Sequence, residues 1–178
     1  GLGPAPTPTP LTADAERVVQ KMYDAMTSGV ETDYIDAIAP ASREKIRLEN
    51  IARGLLEHVQ FEWYGAQLAL GDLTDVDYRK MNYSGELLAS DHVVVTAAGD
   101  IWIDTTKNQY EVCDMWDVHP YNGEWLVDVD APERIERHQH IAAARAQNEQ
   151  GVSLLDRIIG FFNGGLEKSI KNSLNQCE

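Results

Sequence analysis

The sequence predicts an α+β domain in which three N-terminal helices pack on a curved antiparallel sheet, with a helical extension at the C-terminus. Three observations predict it. Residues 12–58 hold three amphipathic segments, about seventy residues of alternating strand pattern follow, and the pattern closes on Asn122-Gly123-Glu124-Trp125, a two-residue hairpin signal.

Thr12 is a good N-cap, Asp14 and Glu16 suit the positive end of a helix dipole, and Ala15, Val18, Val19, Met22 and Met26 recur at helical spacing. This predicts a helix of about 16 residues ending at Ser28-Gly29. Asp33 is expected to cap a short helical turn carrying Ile35 and Ile38, which Pro40 terminates. Ser42 is then expected to cap a third helix whose Leu48, Ile51, Ala52, Leu55, Leu56 and Val59 form one apolar stripe. Strands follow at Phe61–Leu70, at 77–89 and 92–104 around a Ser90-Asp91 turn, at Tyr110–Val118, and at Trp125–Val129.

The chain has 178 residues, enough for one domain with appendages. Its formal charge of −14 sits wholly in residues 1–130, because residues 131–178 carry six acidic and six basic side chains. Such a surface repels phosphate backbones and anionic headgroups, which argues against a nucleic-acid partner. No apolar run is long enough to span a bilayer. Residues 1–10 contain four prolines among small uncharged neighbours, the composition of an extended tether, and an export signal or lipid-bearing cysteine upstream is expected. The protein is therefore expected to be extracytoplasmic, meeting the membrane only through that anchor. Two cysteines make no disulfide framework: Cys113 reads as a small buried hydrophobe, the alternative being one bridge to Cys177 that pins the tail to the sheet.

Three stretches carry a resemblance: the opening Ala15-Glu-Arg-Val-Val-Gln-Lys-Met-Tyr-Asp-Ala-Met26 helix, the short Asp33-Tyr-Ile-Asp-Ala-Ile38 helix, and the closing hairpin from Trp116-Asp-Val118 to Asn122-Gly-Glu-Trp125. Together, over residues 11–130, they resemble the nuclear transport factor 2-like superfamily of cystatin-like cones, nearest to its bacterial lipoprotein-type members of unknown function. The resemblance implies a cone of curved sheet on helices, a pocket at its open end, and frequent dimerisation through the sheet. The chain thus divides into a tether (1–10), the domain (11–130) and the extension (131–178).

No phosphate loop, dinucleotide fingerprint or Ser/His/Asp signature is present. The best acid–base candidate is Asp114, because Tyr110, Val112, Trp116 and Val118 share its strand face under a period of two. Its structural alternatives are a place where the sheet edge meets solvent, or a bulge that turns it outward. The ketosteroid isomerase branch of the superfamily uses a pocket Asp and Tyr, which implies Asp114 with Tyr23 or Tyr110 here. This chain does not match that branch's tyrosine-and-two-carboxylate arrangement residue by residue. Tyr23, Tyr110, Asp114 and Trp116 are the expected pocket residues. His138 and His140, two apart on a helix, point to different sides and are not expected to bind a metal. No cofactor is expected.

In the extension, residues 132–147 favour helix, and Leu155, Ile158, Ile159, Phe162, Leu166, Ile170 and Leu174 form a second stripe interrupted by Gly160, Gly164 and Gly165. The stripe is expected to fold back on its own sheet, to serve a partner or dimer interface, or to meet a membrane surface, with Leu155, Ile158, Ile159 and Phe162 buried against the sheet or across a dimer. The functional expectation is a non-catalytic binding or interaction module for a small molecule or a protein. The alternative is a pocket enzyme of the isomerase, dehydratase or polyketide cyclase kind.

Overall fold

The computed structural model describes Gly3, residues 11–52, 76–104 and 106–178. The expected strand Phe61–Leu70 and the stripe residues Leu55, Leu56 and Val59 lie outside the described residues.

The first helix, α1, spans Ala13–Ser28 and buries Ala15, Val19, Met22, Tyr23, Ala25 and Met26, the positions that recur every three or four residues. It ends at Gly29, whose N–H bonds the Ala25 carbonyl. Thr12 makes no side-chain cap; its hydroxyl instead donates to Glu16 Oε1 at 3.1 Å, and the same oxygen accepts the Gly85 N–H at 2.8 Å. The start of the helix is thereby fastened to the sheet rather than capped. Helix α2 spans Glu31–Ala37, so Asp33 lies inside it and Val30 takes the cap position. Helix α3 spans Pro40–Ala52. Pro40 therefore opens the third helix instead of closing the second, because a missing N–H is harmless in a first turn. Ser42, expected as its cap, is buried inside it.

Four antiparallel strands form one sheet in the order β1 (Val76–Ala89), β2 (His92–Ile103), β3 (Asn108–Tyr121) and β4 (Glu124–Asp128). The β3–β4 turn is Asn122-Gly123, both at positive φ (53° and 81°), the mirror-image geometry that suits the twist of a hairpin. A bulge in β1 between Arg79 and Asn82 presses on Gly99 of β2, where an added Cβ would lie 2.8 Å from the Lys80 carbonyl oxygen.

One face of the sheet carries two cores end to end. Val93, Val95 and Ala97 of β2 and Trp116 and Val118 of β3 pack with α1, Tyr34, Ala37 and Ile38. Further along the same strands, Ile101, Ile103, Tyr110 and Val112 pack with Ile170 and Leu174. Asp114 lies between the two on β3, opposite Ala97. Ile38 and Ala39 add a parallel bridge to Val127, which holds the α2–α3 junction against β4.

The C-terminal part consists of α4 (Pro132–Asn148), α5 (Leu154–Gly160), a kinked turn over Phe161–Gly165, and α6 (Leu166–Leu174). Helix α6 docks on the second core, and the chain then runs along the β3 edge, with the Gln176 N–H bonded to the Cys113 carbonyl at 2.7 Å and a Cys113–Cys177 disulfide. Two expectations are corrected here. Cys113 is not a lone buried hydrophobe but half of a bridge, because docking of Ile170 and Leu174 brings residue 177 beside the strand edge. Leu155, Ile158, Ile159 and Phe162 are not buried against the sheet: they are 65%, 47%, 48% and 81% exposed. The backbone leaves helical geometry at Asn163 and Gly164, so the two halves of the stripe cannot present one face, and only the second half docks.

Candidate functional site

Asp114 is buried on the helix-bearing face, and every one of its carboxylate contacts is short. Its Oδ1 accepts the Met115 N–H at 2.8 Å and lies 3.0 Å from His138 Nε2, while Oδ2 lies 2.6 Å from Arg134 Nη2. Arg134 and His138 are four residues apart on α4, so one helical turn delivers both to one carboxylate. The guanidinium of Arg134 also donates to the Val129 carbonyl and stacks on Trp116, its carbon 3.9 Å from the ring centroid. The Trp116 indole N–H donates to Tyr23 Oη at 3.0 Å. Tyr23 in turn sets its ring edge-on to Tyr78 at 4.7 Å.

A chain of contacts therefore runs His138–Asp114–Arg134–Trp116–Tyr23–Tyr78 and joins α4, β3, α1 and β1. Burial pushes the Tyr23 and Tyr78 hydroxyls well above the usual tyrosine range, and the negative charge of Asp114 adds to the rise. Both phenols are neutral at ordinary pH. Of the expected pocket residues, Tyr23, Asp114 and Trp116 come together, whereas Tyr110 lies in the second core with Ile170 and Leu174. Sequence reasoning missed Arg134, His138 and Tyr78 as members. The basic i, i+4 pair on a helix that directly follows an acidic strand was the available signal.

Chemically, this cluster is a closed ion-pair and hydrogen-bond network. A general base needs a lone pair aimed at the proton it removes. Both oxygens of Asp114 are occupied by donors from the protein itself, and the Tyr23 oxygen accepts from an indole that has no other described partner.

A second polar cluster lies on the opposite face. Asp117 is completely buried, 2.7 Å from His92 Nε2 and paired with Arg137, whose guanidinium also reaches the Met115 carbonyl. His92 stacks on His119 at 4.4 Å, and His119 Nδ1 lies 3.8 Å from Asp128. Burial pushes the Asp128 carboxyl up; His119 opposes that, and the charges of Asp117, Asp130 and Glu133 reinforce it. His138 and His140 diverge, the latter facing Glu136 at 3.6 Å. Among the described residues no group of three or more His, Cys, Asp and Glu is placed to hold a metal.

The tail presents a different kind of surface. Every residue from Gly151 to Gly160 is exposed, and Leu154, Leu155, Ile158 and Ile159 lie on α5, with Phe162 just beyond. The segment is anchored on both sides, since Arg145 of α4 donates to the Asn172 and Asn175 carbonyls at 2.8 and 2.5 Å, satisfying the end of α6. A cleft of about 620 Å³ separates α5 from α4 and α6 and is lined by Arg145, Val152 and Lys168 among others. A second, of about 640 Å³, lies between α6 and the edge of β3.

No protein-family model matches the chain, and no curated protein does. Among solved structures it is similar to a protein of unknown function with a cystatin-like fold from Nostoc punctiforme PCC 73102, with 11% identity and a TM-score of 0.38, over 68% of this chain and 94% of that one.

Proposed function

We propose that this chain is a non-catalytic extracytoplasmic interaction module of the nuclear transport factor 2-like kind, and that it engages a protein through the apolar face of α5. One observation carries the reading: a helix bearing Leu154, Leu155, Ile158 and Ile159 is held clear of its own domain, with none of its residues buried. Burying each such side chain releases about 1.5–3 kcal/mol, so a fixed apolar face of this size favours a partner. The Cys113–Cys177 bridge supports an oxidising compartment, and the Pro-rich segment 1–10 supports attachment by a tether. The rival reading, a pocket enzyme using Asp114 with Tyr23, is disfavoured because both groups carry structural partners.

The test places a photo-crosslinking residue at Ile159, and separately at exposed Glu124 as control, in the exported full chain in its own cell envelope. A discrete protein adduct at 159, lost in an Ile158→Glu variant of unchanged melting temperature, supports the reading. The same adducts from both positions, or none from 159, overturn it. Turnover of a ketone or polyketide-like substrate that is abolished by Asp114→Asn would favour the enzyme instead.

A further inference from the structure

Antiparallel pairing gives each strand residue an N–H and C=O that point to the same side, and the side alternates along the strand. In β3 the Cys113 carbonyl points away from β2, to Gln176, and residues 117–121 pair with β4. The odd-numbered residues of β3 therefore face outward. Cys113 is met by the C-terminal segment, Met115 by Arg137 and by the carboxylate of Asp114, and Asp117 by β4. Gln109 and Glu111 also direct their main-chain groups outward, and among the described residues no strand pairs with them on that side. This open stretch forms one wall of the cleft of about 640 Å³, whose other wall is Glu167 and Lys171 of α6.

Acidic groups outnumber cations around this edge. Asp100 of β2 and Glu111 of β3 are direct cross-strand partners, an arrangement in which like charges repel. The neighbouring cation, Arg79, is the register partner of Asp100 but binds Asp77 at 2.8 Å, donates to the Gln109 side-chain oxygen at 3.4 Å and leans over Trp102. Lys171 faces Glu167 at 3.8 Å. The pair of carboxylates thus lies beside unpaired main chain with no cation of its own among the described ion pairs.

We infer that the Asn108–Val112 edge of β3 is a docking site for an extended cationic segment of a partner protein, which adds as a strand. Its main chain pairs with Gln109 and Glu111, and a Lys or Arg side chain falls between Asp100 and Glu111. Strand addition draws affinity from main-chain hydrogen bonds and selectivity from the side chains at alternate positions. The site shares no lining residue with α5 and stands whether or not that helix binds a partner.

The test is an NMR titration of the full, disulfide-bonded chain with the peptide Lys-Val-Lys-Thr-Lys-Val, with its acidic counterpart in which Glu replaces Lys, and with a version N-methylated at alternate main-chain nitrogens. The expected result is fast amide exchange at Gln109 and Glu111 in the free protein, slowed by the cationic peptide alone, with shifts confined to residues 98–100, 108–113 and the facing wall at Glu167 and Lys171. Glu111→Lys should weaken binding by about tenfold or more while the melting temperature holds or rises, because the substitution also relieves the repulsion from Asp100. Slow exchange of both amides without peptide, equal binding of the methylated peptide, or undiminished binding by Glu111→Lys would each overturn the assignment.

Discussion

The indole nitrogen of Trp116 donates to the hydroxyl of Tyr23 at 3.0 Å across 93 residues of sequence, so the centre of β3 is bonded to the middle of α1. Both residues are buried, Trp116 fully. Tyr23→Phe removes the acceptor but keeps the ring, leaving a buried N–H without its partner. The expected loss is about 1–3 kcal/mol, read from urea denaturation. A loss below about 0.5 kcal/mol would mean that water or another group takes over the indole.

The Arg134–Asp114 pair behaves as a unit. Arg134→Met leaves the buried carboxylate with only the Met115 N–H and His138 and should destabilise by up to about 3–5 kcal/mol, with Asp114→Asn alone also unfavourable. Combining the two removes both charges and should restore much of the loss. A double mutant cycle by chemical denaturation measures the coupling, and simple additivity would show that the pair is held apart in solution.

Alkaline pH should separate the seven tyrosines. Tyr23, Tyr78 and Tyr83 have hydroxyls raised above the ordinary value of 10.0, chiefly by burial. An unfolded chain loses those protons near its ordinary value while the folded chain keeps them. The stabilisation is therefore complete below about pH 10 and is lost as pH rises through the folded values. Ultraviolet difference titration should show these three phenolates appearing only with the loss of near-ultraviolet dichroism. Ionisation of all seven in one step with dichroism intact would contradict the burial.

Within the tail, two halves of one apolar stripe should respond in opposite ways to substitution. Ile170→Ala removes a buried contact with Ile101 and Tyr110 and should cost about 2–5 kcal/mol, whereas Leu155→Ser on exposed α5 should stay within about 0.5 kcal/mol of the parent. Cys113→Ala with Cys177→Ala should cost about 2–4 kcal/mol, as should reduction. Thermal melts with and without a reductant give all four values. Equal sensitivity at positions 155 and 170 would place α5 against the domain.

Local signals carried the fold where local physics decides it. The Ala15-to-Met26 spacing gave α1 to its last residue, and Asn122-Gly123 gave the β3–β4 turn, because helical period and positive φ are written in neighbouring residues. Helix starts were less legible: Thr12 and Ser42 look like caps, but one is recruited to tie Glu16 near Gly85 and the other is buried. The candidate site was half legible. Asp114 and Trp116 share a face by alternation, whereas Arg134 and His138 arrive from a helix whose docking depends on the whole sheet. The disulfide depends on where α6 packs, and two cysteines 64 residues apart carry no local trace of that.

The bridge between Cys113 and Cys177 closes the second half of β3, β4 and all of the three later helices into one covalent ring. Among its described residues the longest unbroken exposed run is 146–160, where a protease meets the least resistance. A cut there opens the ring but frees nothing: the α6 fragment stays attached through its sulfur and remains seated on the second core. Such a nicked molecule keeps its mass on a non-reducing gel and splits only when thiol is added. Cleavage of this arc would therefore interrupt the α5 segment without releasing a fragment or baring the sheet.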